Sequence, residues 1–300
     1  MNISRVLITG SNGFLGRQLV SLFQSDPTFN ICATSRSENR NPFLPAAQFK
    51  QVDITDYTLF GEVIAAFKPD FIINTAADSS VDSCQAAPQE SFALNADSVR
   101  HMAEICAEQN IFLIQLSTDF VFDGRNGPYE ETAPTNPINA YGLSKVAAER
   151  FILDSGCKAA ILRTILVYGT QTDPNRSNLI LWVKNSLTQQ KRIQVVDNQW
   201  RMPTFVEDLA KACLLVIQKQ ATGIFHISSD KMYSIYEIAC EVANFWKLDQ
   251  RLIDPINAES LAAAELRPQK TGFIIEKAAT ILGFQPHSLV ESFQIMDKYR

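Results

Sequence analysis

Short apolar runs alternate with amphipathic stretches along the first 170 residues of the chain. The first run, residues 5–9, is followed by a glycine-rich turn and by apolar residues at helical spacing. The same order returns with apolar runs at 29–34, 49–52, 70–74, 111–116 and 158–168. Strands that alternate with helices in this way form a parallel sheet with helices on both faces. The pattern predicts an α/β fold built on a doubly wound parallel sheet of the Rossmann type.

The rhythm changes after Gly169, where a polar stretch at 170–177 precedes another helical pattern. Short strand-like runs return later, and the last seventy residues show mostly helical spacing interrupted by prolines. We therefore expect a smaller, mostly helical C-terminal substrate domain beside the sheet. The predicted division is a dinucleotide-binding Rossmann domain of residues 1–170 and 193–230, and a substrate-binding domain of residues 171–192 and 231–300.

Composition and charge exclude several classes of function. The chain has 27 Lys and Arg against 32 Asp and Glu, a formal net charge of −5, so we expect no nucleic-acid or anionic-membrane partner. The N-terminus lacks a signal-peptide pattern, and no apolar stretch approaches the ~20 residues of a membrane-spanning helix. The six cysteines are scattered, which favours reduced thiols and a cytoplasmic location. The histidines lie far from any Cys, Asp or Glu at a metal-ligand spacing. Asp123, Glu130 and Glu131 could suggest a metal, but a solvated acidic loop is the preferred interpretation, so no metal is expected.

The turn after the first strand carries three glycines at a spacing of three residues. Glycines there allow a tight turn and let the backbone approach a pyrophosphate, while the N-terminus of the next helix offers unpaired N–H groups to that anion. A plain strand-to-helix turn is the alternative interpretation. The turn residues expected to contact a dinucleotide are Gly10, Asn12, Gly13, Phe14, Leu15 and Gly16.

The end of the second strand indicates which dinucleotide binds. Arg36 lies twenty residues after Gly16, where an acidic residue would bind a ribose 2′-hydroxyl and an arginine suits a 2′-phosphate. The sequence therefore favours NADPH, with NADH left open and a solvated Arg36 as the alternative.

Two further strand ends supply candidate cofactor contacts. Asp53 and Ile54 follow the third strand as candidates for the adenine, although Asp53 or Asp56 could equally cap the next helix. Ala76 and Ala77 follow the fourth strand, and small residues there let a cofactor lie close to the backbone.

Tyr141 and Lys145 are four positions apart in a predicted helix that starts near Pro137, so they lie on one helical face. A lysine ammonium is expected to lower the pKa of a neighbouring phenol from ~10, and the pair could then act as general acid and base toward a carbonyl or hydroxyl. Ser117 or Thr118, at the end of the preceding strand, could donate a hydrogen bond to the same oxygen.

These features together resemble the extended short-chain dehydrogenase/reductase family, and within it the dTDP-4-dehydrorhamnose reductase branch. The string from Ser117 to Gly124 is the most specific match, because sugar-nucleotide epimerases and dehydratases usually continue differently there. The other matching segments are the glycine turn and residues 74–77, 128–131, 137–149, 163–164, 167–169, 197–199, 203–204, 207–210 and 267–268.

The resemblance implies NADPH-dependent reduction of the C4 keto group of a nucleotide-linked 4-keto-6-deoxy sugar, as in dTDP-L-rhamnose synthesis. It implies that Tyr141 gives a proton to the C4 oxygen and that Lys145 binds the nicotinamide ribose. Thr118 would orient the carbonyl, with Asp119 beside it. Arg267 would reach the nucleotide part of the substrate.

Substrate choice is less well defined. Ser79 and Val81 lie in a loop expected to face the substrate, and a homodimer is left open. Family reductases typically carry a tryptophan where this chain has Leu166, and the segment after Arg267 also departs from the pattern.

Two alternatives remain: a sugar-nucleotide epimerase or dehydratase of the same fold, and a non-enzymatic NADP-binding regulatory subunit of the kind that partners methionine adenosyltransferase.

Overall fold

A parallel sheet with flanking helices organises the computed structural model, which describes residues 3–41, 44–170, 177–260 and 264–298. Its strands, in chain order, are β1 (Ser4–Thr9), β2 (Phe29–Ser35), β3 (Phe49–Gln51), β4 (Phe71–Asn74), β5 (Phe112–Thr118), β6 (Ala159–Thr164), β7 (Val167–Tyr168), β8 (Ile193–Val196), β9 (Trp200–Arg201), β10 (Thr204–Phe205), β11 (Gly223–Ile227), β12 (Tyr233–Ser234) and β13 (Ile253–Ile256). Its α-helices are α1 (Phe14–Gln24), α2 (Tyr57–Phe67), α3 (Val81–Ala86), α4 (Pro88–Phe92), α5 (Ser98–Gln109), α6 (Ala140–Ser155), α7 (Leu179–Thr188), α8 (Val206–Lys219), α9 (Ile235–Phe245) and α10 (Leu289–Lys298).

The central sheet has the strand order β11-β6-β5-β4-β1-β2-β3, with every neighbouring pair parallel. Helices α1 and α8 cover one face through residues such as Leu19 and Leu209. Helices α2, α5 and α6 cover the other face through Phe60, Met102 and Ile152. The predicted doubly wound α/β fold is confirmed. From β1 the chain adds β2 and β3 on one side and then β4, β5, β6 and β11 on the other. At such a switch point a parallel sheet has a crevice in which ligands bind.

The strand expected over residues 158–168 is interrupted, and that prediction is wrong. β6 ends at Thr164, and Leu166 adopts φ +40°. The chain therefore leaves the central sheet, and β7 pairs with β10 in a separate two-stranded sheet. A left-handed backbone is sterically unfavourable for most side chains, so it is not expected at a leucine. The continuous apolar run therefore gave no sign of the break.

Residues 193–196, which the sequence places in the Rossmann domain, pair as β8 with β13 instead of joining the central sheet. With α7, α9 and α10 they surround another apolar core that includes Val183, Val242 and Phe293. Alternating apolar residues over four positions predict that the segment is a strand. They do not specify which other strand it pairs with. The other predicted domain boundaries remain predictions.

The polar stretch expected at 170–177 lies, at residues 171–176, outside the described residues. Among the described helices, none combines the length and apolar character needed to cross a bilayer.

Candidate active site

A cavity of about 800 Å³ opens at the carboxyl ends of β1, β2 and β4. The glycine turn after β1 and the chain segments after β2, β3 and β4 form its walls. The predicted cofactor residues that line it are Gly10, Asn12, Gly13, Arg36, Asp53, Ile54, Ala76 and Ala77. The structure therefore brings together residues that lie almost seventy positions apart in the sequence.

Gly10 leaves room that no other residue type would leave. It has φ +66°, and a Cβ atom there would lie 2.7 Å from the Ala76 backbone nitrogen and 2.8 Å from the Thr75 carbonyl carbon. A side chain would strain the backbone and press against the chain after β4. The turn thus keeps the backbone bare at the cavity floor, as close approach of a pyrophosphate requires.

Two exposed arginines, Arg36 and Arg40, line the same cavity. Asn12 is buried beneath their loop, where its Nδ2 donates to the Glu38 carbonyl at 2.7 Å and its Oδ1 accepts from the Arg40 backbone N–H at 2.9 Å. Asn12 therefore holds the loop that carries the positive charges. A guanidinium pair at this edge suits a phosphate on the adenosine ribose.

The two candidate carboxylates after β3 have different positions. Asp56 caps α2, because its Oδ1 accepts from the Leu59 N–H at 3.0 Å. Asp53 accepts the N–H and hydroxyl of Thr55 at 3.0 and 2.8 Å and lines the cavity. The structure thus assigns the cap to Asp56 and leaves Asp53 facing the cavity.

Three residues of the glycine turn do not line the cavity. Leu15 is buried in the core between α1 and the sheet, and the Phe14 ring lies toward Gly169. Gly16 packs beneath the turn, since a Cβ there would collide with the Gly10 carbonyl oxygen and lie 2.7 Å from the Ser11 Cα. These three residues let the turn pack, and their contact with a cofactor through backbone N–H groups stays a prediction.

The predicted catalytic residues meet at the carboxyl end of β5. Thr118 is the last residue of β5, and its hydroxyl lies close enough to the phenol of Tyr141, in the first turn of α6, to favour the ionised phenol. The Tyr141 ring meets Phe120 edge-on with 6.0 Å between centroids. Helix α6 begins at Ala140, later than Pro137 suggests, because Asn139 caps it by accepting the Gly142 N–H at 2.7 Å.

The pKa of Tyr141 is raised, so the expected lowering by Lys145 is wrong for the protein alone. Burial disfavours the phenolate, and this outweighs the opposite effect of the neighbouring Thr118 hydroxyl. Burial also lowers the pKa of Lys145 to about 8, while Glu149 raises it. Lys145 is 3% exposed, and the cost of burying its charge was not visible in the spacing of the two residues.

Asp119 connects Thr118 to the C-terminal part of the chain. Its buried carboxylate accepts from the Thr118 hydroxyl at 3.1 Å and from the Thr271 hydroxyl, and it lies 3.7 Å from the Arg201 guanidinium. Burial raises the pKa of Asp119, and Arg201 opposes this. Arg201 also donates to the Pro268 carbonyl at 2.7 Å. Sequence reasoning missed Arg201, which carries no motif of its own.

Asn95 is a second residue that the sequence did not single out. It lies in a π-helical turn, Ala93–Asp97, that interrupts the helix predicted from Glu90 to Gln109. Its Nδ2 donates to the Asp78 carbonyl at 2.8 Å and to the Ser144 hydroxyl at 3.1 Å. Asn95 thereby ties the chain after β4 to the catalytic helix α6.

The residues expected at the substrate side gather around α3. Ser79 is exposed just before this helix, and the Arg267 guanidinium donates to both oxygens of Asp82 at 2.8 and 2.9 Å. Val81 is 8% exposed at the start of α3, so its side chain contributes to packing, and its contact with a substrate stays a prediction. The ion pair joins the Rossmann part to the C-terminal segment.

Within the described ranges, no three His, Cys, Asp or Glu side chains are grouped as metal ligands. All six cysteines are free thiols, and Cys32, Cys84, Cys106 and Cys213 are buried.

Thr118, Tyr141 and Lys145 do not line the cavity themselves, but they lie at the same carboxyl edge of the sheet. A phenol and a hydroxyl at this edge, together with a cavity at the glycine turn, are typical of an NAD(P)-dependent oxidoreductase of the extended short-chain dehydrogenase/reductase class. The family model described as the RmlD substrate binding domain matches residues 4–298. The chain belongs to this family.

Several known proteins are similar to the chain over most of its length. The crystal structure of dTDP-4-dehydrorhamnose reductase from Bacillus anthracis in complex with NADP has a TM-score of 0.88 and 27% identity, covering 100% of both chains. A dTDP-4-keto-6-deoxy-D-glucose reductase from Streptomyces niveus is 32% identical over 271 residues, 89% of this chain and 87% of that protein. The methionine adenosyltransferase 2 subunit beta of Bos taurus is 30% identical over 283 residues, 92% of this chain and 82% of that protein.

Proposed function

We propose that the protein is an NADPH-dependent reductase of the C4 keto group of a nucleotide-linked 4-keto-6-deoxy sugar, as in dTDP-L-rhamnose synthesis. The observation that carries the proposal is the convergence of Thr118 and Tyr141 at the carboxyl end of β5, the same edge of the sheet at which the cavity opens. The reductases among the similar proteins support this choice of substrate.

The residues present fit a bound NADPH. The bare backbone at Gly10 suits the pyrophosphate, and Arg36 with Arg40 suits the 2′-phosphate. Ala76 and Ala77 also line the cavity and would contact the nicotinamide ribose, which Lys145 is expected to bind as well. When bound, NADPH supplies the hydride for the sugar carbon.

Tyr141 is well suited to give a proton to the sugar oxygen. Its raised pKa keeps the phenol protonated at neutral pH, and a protonated donor is what reduction of a carbonyl requires. Lys145, with a pKa of about 8, is mostly charged at pH 7, so its ammonium would stabilise the phenolate that forms. The Thr118 hydroxyl would orient the same oxygen.

The substrate's diphosphate is assigned to Arg267. This side chain is about one third exposed and is held by Asp82, so binding of the substrate would exchange one anionic partner for another. A fixed guanidinium fork binds phosphate oxygens in pairs.

Turnover with a panel of nucleotide-linked 4-keto-6-deoxy sugars, scored by consumption of NADPH and of NADH, tests the proposal. We expect oxidation of NADPH with at least one dTDP-linked keto sugar and loss of most activity in Tyr141→Phe. Tyr57→Phe is the matched control, because Tyr57 lies on the surface of α2 and stacks on His101. Full activity in Tyr141→Phe contradicts the assignment of the proton donor.

A non-enzymatic regulatory subunit is the second candidate, favoured by the similarity to methionine adenosyltransferase 2 subunit beta. That function predicts NADPH binding without turnover, together with a stable complex with a methionine adenosyltransferase in size-exclusion chromatography. An epimerase or dehydratase predicts instead that the cofactor stays bound through purification and is not consumed.

A further inference from the structure

The catalytic helix carries a second buried charge one turn after Lys145. Glu149 is 4% exposed, and its two carboxylate oxygens accept from Arg163 Nε at 2.9 Å and Nη2 at 2.6 Å. The Ser117 hydroxyl donates to the same carboxylate at 2.5 Å. Glu149 therefore links α6 to β6 through Arg163 and to β5 through Ser117.

Arg163 is held from its other side by a neutral histidine. Burial lowers the pKa of His226 to about 3, so its ring is uncharged at neutral pH. The Nε2 of His226 lies 3.3 Å from Arg163 Nη1, and its Nδ1 lies 3.1 Å from the Tyr129 carbonyl oxygen. The neutral ring can satisfy both contacts, accepting from Arg163 and donating to Tyr129. The charges of Glu149 and Arg163 thus compensate each other, and His226 adds no charge to the pair.

The position of this ion pair relates it to the reaction centre. Ser117 immediately precedes Thr118 in β5, and Lys145 lies one helical turn before Glu149. The Glu149 carboxylate therefore accepts a hydrogen bond from the strand that carries Thr118. Glu149 itself belongs to the helix that carries Tyr141.

The charges that act on Lys145 come from few elements. Glu149 acts from α6 itself, and Cys84 acts from α3. Asp78 and Asp119 act on the neighbouring Tyr141. Burial raises the pKa of both the Cys84 thiol and the Tyr141 phenol, so these two groups are neutral at pH 7. Glu149 is then the anion that directly favours the ammonium form of Lys145.

We propose that Glu149 is a positioning residue of the active site: it anchors the catalytic helix to the end of β5 and maintains the positive charge of Lys145. A purely structural ion pair would hold the fold together without any coupling to Lys145. The effect on turnover rests on the proposed function, whereas the effect on the charge of Lys145 does not.

A double-mutant cycle in urea unfolding separates these interpretations without requiring turnover. The variants are Glu149→Gln, Lys145→Met and the double variant, each measured at pH 7 and at pH 10. At pH 7, Lys145→Met should raise the folding equilibrium constant about tenfold more in the Glu149→Gln background than in the wild type, since a lost counter-charge is worth about one pKa unit or more. At pH 10 this extra gain should vanish, because Lys145 is then neutral. A cycle whose coupling is zero, or is the same at both pH values, overturns the proposal.

Asp208→Asn provides the matched control for that cycle. Asp208 is also a buried acid, 2% exposed, but its carboxylate bonds His287 Nδ1 at 2.6 Å. Combined with Lys145→Met, this variant should show no pH-dependent coupling.

The anchoring role has its own test, which also serves if Glu149→Gln does not fold. Ser117→Ala removes the strand contact and leaves the ion pair in place. The amides of residues 140–146 should then exchange with solvent faster than in the wild type, measured by hydrogen–deuterium exchange. Unchanged exchange contradicts the anchoring role. If the wild type turns over a keto sugar, Glu149→Gln should also shift the alkaline limb of kcat/KM to lower pH by about one unit.

Discussion

Replacing Lys145 by methionine should stabilise the protein at neutral pH while removing its activity. Lys145 is almost fully buried, and burial lowers its pKa from the ordinary 10.5 to about 8. The difference is 10.5 − 8, or about 2.5, and at ~1.36 kcal/mol per pKa unit the folded state loses ~3 kcal/mol by holding the ammonium. Methionine has a similar length and no charge, so it avoids this loss.

The sign and the pH range follow from proton linkage. Below pH 8 Lys145 is protonated in both the folded and the unfolded states, so the full loss is present. Between pH 8 and 10.5 the folded state releases its proton first, and the loss disappears. The free energy of unfolding of Lys145→Met should therefore exceed that of the wild type by up to ~3 kcal/mol at pH 7, and the two should converge near pH 10.5.

Urea unfolding followed by far-ultraviolet circular dichroism at several pH values between 7 and 10.5 measures this difference directly. Lys211→Met, at an exposed position on α8, is the control and should differ little from the wild type at any pH. A Lys145→Met protein that is less stable than the wild type at pH 7, or whose difference does not depend on pH, would refute the reasoning.

Three further substitutions test other parts of the site. Arg36→Ser should weaken NADPH binding about tenfold, the value of one charge-assisted hydrogen bond, and leave NADH binding unchanged in fluorescence titrations; equal losses for both would sink the 2′-phosphate assignment. Gly10→Ala should lower the free energy of unfolding by ~1–3 kcal/mol and weaken NADPH binding, whereas a wild-type melting curve would contradict the close approach to Ala76. Asp82→Asn should lower KM for the nucleotide sugar with kcat unchanged, because the Asp82 carboxylate then no longer competes with phosphate for Arg267; a raised KM would speak against this exchange of partners.

The sheet and most of the residues that line its cavity could be predicted from the sequence because they follow local rules. Apolar periodicity specifies strands and helices, and the glycine spacing identifies the turn that must pass close to a phosphate. Gly10, Arg36 and Ala76 are placed by their positions at strand ends, and parallel strands bring those ends to one edge of the sheet.

What the sequence did not predict depends on long-range burial. The pKa directions of Tyr141 and Lys145 follow from the packing around them, which no spacing of two residues describes. Arg201 lacks a recognisable motif, and Glu149 ends the matching segment 137–149 without a role of its own in the sequence. The roles of both residues follow from partners far along the chain. The positive φ of Leu166 moves β7 out of the central sheet, and only the folded backbone reveals it.

The raised pKa of Tyr141 agrees with a role in reduction. A phenol that holds its proton at neutral pH is a better donor than one already ionised. Bound NADPH and substrate would bring further charge next to Tyr141 and Lys145. The pKa values of the protein alone therefore apply before these molecules bind.

The central claim is that hydride moves from NADPH to the C4 carbon of a nucleotide-linked keto sugar. Incubating the protein with NADPH deuterated at the nicotinamide C4, and analysing the sugar product by mass spectrometry and NMR, tests this claim directly. We predict a product carrying one deuterium at C4, formed in equal amount to the NADP released. A sugar product without deuterium at C4, or no product while NADPH remains bound, would contradict it.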